Sequence, residues 1–243
     1  MFNKAIILLL FITTSLISFS QNNENAKEIK TALLDKAEKT YGLDDRLING
    51  LLYVNKHPRA NKHPFFLNDQ WKEGIVYINE NVYKDLYLNY NIDTEEIILY
   101  HKFDNKRNIQ IILNNNIIDS IQIANYIFIN AKHLNLENYR SGFYELVYRG
   151  SFTAVKKHKK EFYEKYTTFD PHGTYSNTNT VLLFIMEKGD IIKIKNRSGI
   201  LKQFSSIKRP IKRYLRNNGI TYKKINKHQL FKLLQYCDEH SSN

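Results

Sequence analysis

The stretch Lys72–Lys102, KEGIVYINENVYKDLYLNYNIDTEEIILYHK, most constrains what this chain can fold into. Runs of β-branched and aromatic residues alternate there with short polar breaks, the pattern of strands joined by turns. It predicts three strands, over residues 75–78, 82–90 and 96–101. Asn79-Glu80-Asn81 and residues 91–95 form the turns. Side chains alternate across a strand, so Leu86, Leu88 and Tyr90 fall on one face and Tyr83, Asp85 and Tyr87 on the other.

Further segments carry the same signal. Residues 109–113 read as a strand, and 117–129 as one bent strand or two. Residues 143–148 and 152–157 form a hairpin turning at Arg149-Gly150. The run KKHKK, Lys156–Lys160, reads as a solvated, charged strand end. Residues 181–186 are almost continuously apolar, as in a strand buried on both faces, and 191–194 return beside them. The period then becomes helical. A short helix follows Ser198-Gly199; a second, capped by Ser205 or Ser206, carries Ile207, Ile211, Tyr214 and Leu215 on one face. A last helix starts at Asn226 and turns Leu230, Leu233, Leu234 and Cys237 inward.

The fold class is therefore α+β: an antiparallel β-meander of about eight or nine strands, with a short N-terminal helix and two to three C-terminal helices. That N-terminal helix or leader spans 21–42, with Ala26, Ile29, Leu33, Ala37 and Tyr41 at helical spacing. The β-rich body spans 43–195, and a basic helical segment, 196–243, packs on it.

Residues 1–20 read as a signal peptide. Lys4 precedes an apolar run over 5–17, and Ser18 and Ser20 are small residues before a cut at Gln21. The run is shorter than the ~20 residues a membrane span needs, so no transmembrane span is expected after cleavage. The expected location is exported, periplasmic or extracellular. The single cysteine, Cys237, excludes an intramolecular disulfide and reads as a small buried hydrophobe.

Chemical motifs are sparse. His57-Pro58 and His63-Pro64 place two histidines six residues apart, a spacing that suits neither a helix face nor a zinc knuckle. They read as a turn presenting Phe65, Phe66 and Trp71 to the core. Asp170-Pro171-His172-Gly173 reads as a turn. Asp85, Asp93, Glu95, Glu96 and Glu145 are candidate acids for glycoside hydrolysis, which needs two carboxylates flanking the bond. Phosphate loops, nucleophile elbows and zinc-protease motifs are absent from the sequence. The expectation is no catalytic residue, no cofactor and no bound metal.

Charge is the one functional signal. The chain carries +12, and from Lys188 onward fourteen basic residues face three acidic ones, a net of +11. Lys208, Arg209, Lys212, Arg213 and Arg216 line the polar face of the second helix, opposite Ile207, Ile211 and Leu215. Such a face attracts polyanions. The export signal excludes intracellular nucleic acid as the partner and favours an envelope polyanion or a protein.

Several pieces together resemble a group of uncharacterised secreted proteins from Bacteroidetes. They are the signal ending Ser18-Phe19-Ser20-Gln21, the run His63-Pro64-Phe65-Phe66 with Trp71 after it, and VYKDLYLNYNI over 82–92. Gly142-Phe143-Tyr144 and the basic helices ending LLQYCDE complete the set. The resemblance implies a secreted or envelope location and a β-rich fold, and it brings no activity. The functional expectation is a non-enzymatic binding or interaction module of the envelope. The alternative is a hydrolase acting on an envelope polysaccharide or other polymer.

Overall fold

The computed structural model describes residues 47, 49–103, 107–134, 136 and 141–241. The signal peptide and the helix expected over 21–42 lie outside these residues. The chain divides into two units at Gly50, and the sheet and helices described here belong to the second.

Among the described residues, eleven strands form one antiparallel sheet. In chain order they are β1 (Leu51–Leu52), β2 (Lys72–Ile78), β3 (Asn81–Asn91), β4 (Glu96–Phe103), β5 (Arg107–Ile112), β6 (Ser120–Ile123), β7 (Tyr126–Asn130), β8 (Phe143–Arg149), β9 (Phe152–Lys159), β12 (Asn179–Met186) and β13 (Ile191–Ile194). β10 (Phe162–Tyr163) and β11 (Thr174–Tyr175) make a separate two-stranded ribbon. Across the sheet the order is β1-β5-β4-β3-β2-β6-β7-β8-β9-β12-β13, so nearly every strand pairs with its neighbour in sequence. The α+β class and the meander hold, but the count exceeds the eight or nine strands expected. β1, β10 and β11 have two residues each, too short to show any period. The 117–129 segment splits in two, with Ala124 at positive φ in the turn.

The three-strand stretch forms as its alternation requires. β3 pairs with β2 on one side and β4 on the other, and Leu86, Leu88 and Tyr90 are buried. Tyr83 corrects the reading, because it is buried with Leu86 rather than opposite it. The register shifts between Gly74, which faces Leu86, and Val76, which faces Tyr83. Asp85 sits at φ +54 in that bulge, and the extra residue returns Tyr83 to the inner face.

The sheet curls. The rings of Tyr90 on β3 and Phe128 on β7 lie 5.2 Å apart, although β2 and β6 separate their strands. In a flat sheet three strand spacings would set them roughly 14 Å apart. The curl closes on the segment before β2. Phe66 N–H donates to Tyr90 O (2.9 Å), Ile92 N–H to Pro64 O (3.1 Å) and Lys160 N–H to Ile92 O (3.3 Å). The end of β9 is thereby brought to the end of β3, and Phe65 and Phe66 are buried as the HPFF reading expects. Trp71 is half-buried and stacks on Tyr100.

Three helices close one face of β8, β9 and β12: α1 (Arg197–Gln203), α2 (Lys208–Asn217) and α3 (Lys227–Ser241). Asn196 caps α1 by accepting from Gly199 N–H. α2 is entered through a 3-10 turn, Ser205–Ile207, and neither serine makes a capping bond, contrary to the expected cap. Gly219, at φ +61, ends the segment. Asn226 caps α3, its side chain accepting from Gln229 N–H while Gln229 accepts from Asn226 N–H. Leu230, Leu233, Leu234 and Cys237 are buried with Phe152, Phe184 and Phe204.

Candidate functional site

The basic helix has the geometry that its sequence implies. Ile211 and Leu215 are buried, Ile207 is half-buried, and Lys208, Arg209, Lys212, Arg213 and Arg216 are all exposed. Among the described residues none of the five is in an ion pair with a carboxylate. The docked apolar side fixes the helix, and the cations stay exposed on the opposite side.

A concave site lies elsewhere. A cleft of about 650 Å³ is lined by Thr94, Glu95, Asn115, Asn116, Asn130, Ala131, Lys132, Ser141 and Gly142. Glu95 holds a left-handed backbone, φ +63, and its carboxylate pairs with Lys157 at 2.9 Å. Gly142, at φ +105, passes so close that a β-carbon there would collide with the Glu95 carboxylate. Lys132 pairs with Asp119 at 3.1 Å and donates to Asn116 O. Asn115 donates to Glu95 O (2.7 Å), while its own buried Oδ1 has no partner among the described residues. Both charges on the cleft wall are thus compensated by protein groups.

The third feature is a polar chain that runs inward from the surface. Thr180 Oγ1 lies 2.9 Å from His158 Nδ1, and His158 Nε2 lies 2.7 Å from Glu145. β8, β9 and β12 place the three side by side, with Thr180 directly opposite His158. Phe66 packs on the imidazole, ring centroids 4.7 Å apart. The order hydroxyl, imidazole, carboxylate is that of a hydrolytic triad. Thr180 is exposed while His158 and Glu145 are buried, and none of the three lines the cleft.

This corrects the reading of Lys156–Lys160 as a solvated strand end. His158 is 7% exposed and Lys160 6%. Lys160 Nζ donates to His63 O (2.8 Å) and Phe65 O (2.9 Å), so the chain closure covers it. Burial, followed by the nearby Lys62 charge, lowers its pKa.

The remaining candidates are dispersed. His57 stacks on Phe162 at 3.6 Å, whereas His63 packs beside Phe65 and accepts from Phe65 N–H. No group of three metal-ligating side chains occurs among the described residues. Asp170 accepts from Asn61, and Gly173 turns the chain at φ +77. Asp93 is drawn upward in pKa, mainly by burial. Glu96 accepts from Thr94, and Asp85 is exposed in its bulge. Burial pushes the Cys237 thiol up to about 12, which disfavours its thiolate. No described helix is long and apolar enough to cross a membrane.

No protein family, curated protein or solved structure matches this chain.

Proposed function

We propose that this chain is an exported envelope protein that acts as a non-enzymatic binding module, with the exposed face of α2 contacting a polyanion. The observation that carries the reading is the set of five cations, Lys208, Arg209, Lys212, Arg213 and Arg216, held outward by the burial of Ile211 and Leu215. With no carboxylate paired to them among the described residues, their field is available to an acidic partner. Lipopolysaccharide phosphate or an acidic glycan fits that chemistry.

Hydrolysis of an envelope polymer finds less support. A glycosidase holds two carboxylates about 5–9.5 Å apart across the scissile bond. Glu95 is the single acid among the nine residues that line the cleft, and Lys157 pairs with it. That arrangement suits holding a ligand better than cleaving one.

Binding of immobilised heparin and of lipopolysaccharide tests the reading. Replacing Lys212, Arg213 and Arg216 by Gln is expected to weaken binding at least tenfold and leave the melting temperature unchanged, because exposed charges contribute little to the fold. Wild-type affinity is expected to fall as salt rises, since screening acts within about 8 Å at physiological ionic strength. Equal binding by the triple variant would make the face a solubilising one only.

A further inference from the structure

The segment between β9 and β12 exposes three aromatic rings within seven residues: Tyr163 is 48% exposed, Tyr166 65% and Phe169 91%. Other strongly exposed apolar side chains lie at Leu51, Leu52 and Val54; here the exposed groups are aromatic rings gathered in one short segment. The tip is a closed turn. Thr167 N–H donates to Asp170 O, and Asp170 N–H donates back to Thr167 Oγ1, which turns Phe169 outward.

Its base is pinned to a second, basic segment. Asn61 donates to the Asp170 carboxylate at 2.6 Å, and its backbone exchanges bonds with Gly173 O (3.0 Å) and Tyr175 N–H (3.1 Å). His57 stacks on Phe162, and Lys62 donates to Asn177. Lys56, Arg59 and Lys62 are therefore held beside the aromatic tip, with Lys165 inside it, and all four are exposed. The acids near this surface are Glu161, Glu164, Asp170 and the half-buried Asp93, which faces Lys56 and His57; Glu161 pairs with Lys159 and Asp170 is engaged by Asn61. Cations thus outnumber free acids around the rings.

We propose that this tip docks on an anionic lipid bilayer, with Phe169 and Tyr166 entering the interface and Lys56, Arg59, Lys62 and Lys165 lying at headgroup level. Aromatic rings beside Lys and Arg are the side chains that settle at a membrane–water boundary: the rings gain apolar contact, and the cations reach the phosphates. Each cation near an acidic leaflet adds to the attraction. This docking does not use the α2 face.

Co-sedimentation of the full chain with vesicles of phosphatidylcholine alone, and of phosphatidylcholine mixed with phosphatidylglycerol, tests the proposal. Wild type is expected to pellet with the mixed vesicles and to be released by salt. A Tyr166→Ser, Phe169→Ser variant is expected to bind them at least tenfold more weakly, with unchanged melting, because both side chains are exposed in the free protein. Replacing Lys56, Arg59 and Lys62 by Gln is expected to remove the preference for the mixed vesicles. In a Phe169→Trp variant, the new indole emission is expected to shift to the blue on those vesicles. The α2 variant Lys212→Gln, Arg213→Gln, Arg216→Gln keeps this binding if the two surfaces are separate. Wild type that ignores both vesicles would overturn the proposal. So would a serine variant that pellets like wild type, or binding lost in the α2 variant alone.

Discussion

Nε2 of His158 stands 2.7 Å from a carboxylate oxygen of Glu145, and the two side chains are 8% and 2% exposed. The second Glu145 oxygen has no partner among the described residues. A carboxylate this deep depends on the imidazole for its direct hydrogen bond. Removing one member of a buried pair leaves the other uncompensated, at a cost of about 3–5 kcal/mol. Replacing both together by apolar residues costs much less for the same reason.

The first prediction is therefore non-additive. His158→Ala and Glu145→Ala each lower the unfolding free energy by about that amount, and the double variant loses clearly less than the two combined. Urea denaturation of the four proteins measures the coupling. Additive losses would mean that the two side chains act independently.

Lys160 gives the second prediction. Its ammonium joins the end of β9 to the His63 and Phe65 carbonyls, which the sheet's curl brings to the same place. Lys160→Met keeps the stem and removes the donors. Two carbonyls then lose their partner, each costing about 1–3 kcal/mol if left buried. The loss is expected to open the closure locally, so the Phe66 and Ile92 amides should exchange with solvent faster than those of β8. Unchanged exchange at those two amides would show that the backbone bonds alone hold the segment.

Much of the fold was legible because it is local. Alternation in 72–102 placed β2, β3 and β4, and helical spacing placed the four buried residues of α3. The closure was not legible, since it joins residues 64–66, 90–92 and 160 through a curl that no local pattern encodes. The run Lys156–Lys160 shows the consequence. Its composition reads as solvated, yet alternate residues of β9 turn inward, and that face is covered by a segment nearly a hundred positions away. The basic face of α2 was legible, because both its charge and its docking side follow the helix period. The aromatic tip was not, since nothing in the sequence separates an exposed Phe169 from a buried one.

Leu88 gives the third prediction, which separates pattern from bulge. Leu88 and Tyr83 are both buried on β3, but the plain period-of-two reading buries only Leu88. Leu88→Ala is expected to cost about 2–5 kcal/mol, and Tyr83→Ala a comparable amount. A Tyr83→Ala protein with wild-type stability, beside a destabilised Leu88→Ala, would remove the bulge at Asp85 and restore the simple register.

Asp238 carries the last prediction, which concerns acid. Its carboxylate accepts from Tyr148 Oη (2.6 Å), from Ser151 N–H (3.0 Å) and from the Ser151 hydroxyl, tying α3 to the β8–β9 turn. Gly150 lies in that turn because a β-carbon would strike the Asp238 carboxylate and the Tyr148 hydroxyl. Burial acts to raise the Asp238 pKa, but the bonds from Ser151 and Tyr148 outweigh it and hold the carboxyl below its ordinary value. Asp119 behaves alike: burial is outweighed by donors from His133, Lys132 and Asn79. A carboxyl with a depressed folded pKa binds fewer protons folded than unfolded. Its stabilisation is present above the unfolded value, about pH 4, and is lost as pH falls through the folded one. Asp238→Asn is therefore expected to lower stability at neutral pH and to flatten the fall below about pH 4. Adding Asp119→Asn should flatten it further. Melting temperatures followed across the acid range read both slopes, and an Asp238→Asn slope identical to wild type would show that the clamp does not hold its charge in the folded state.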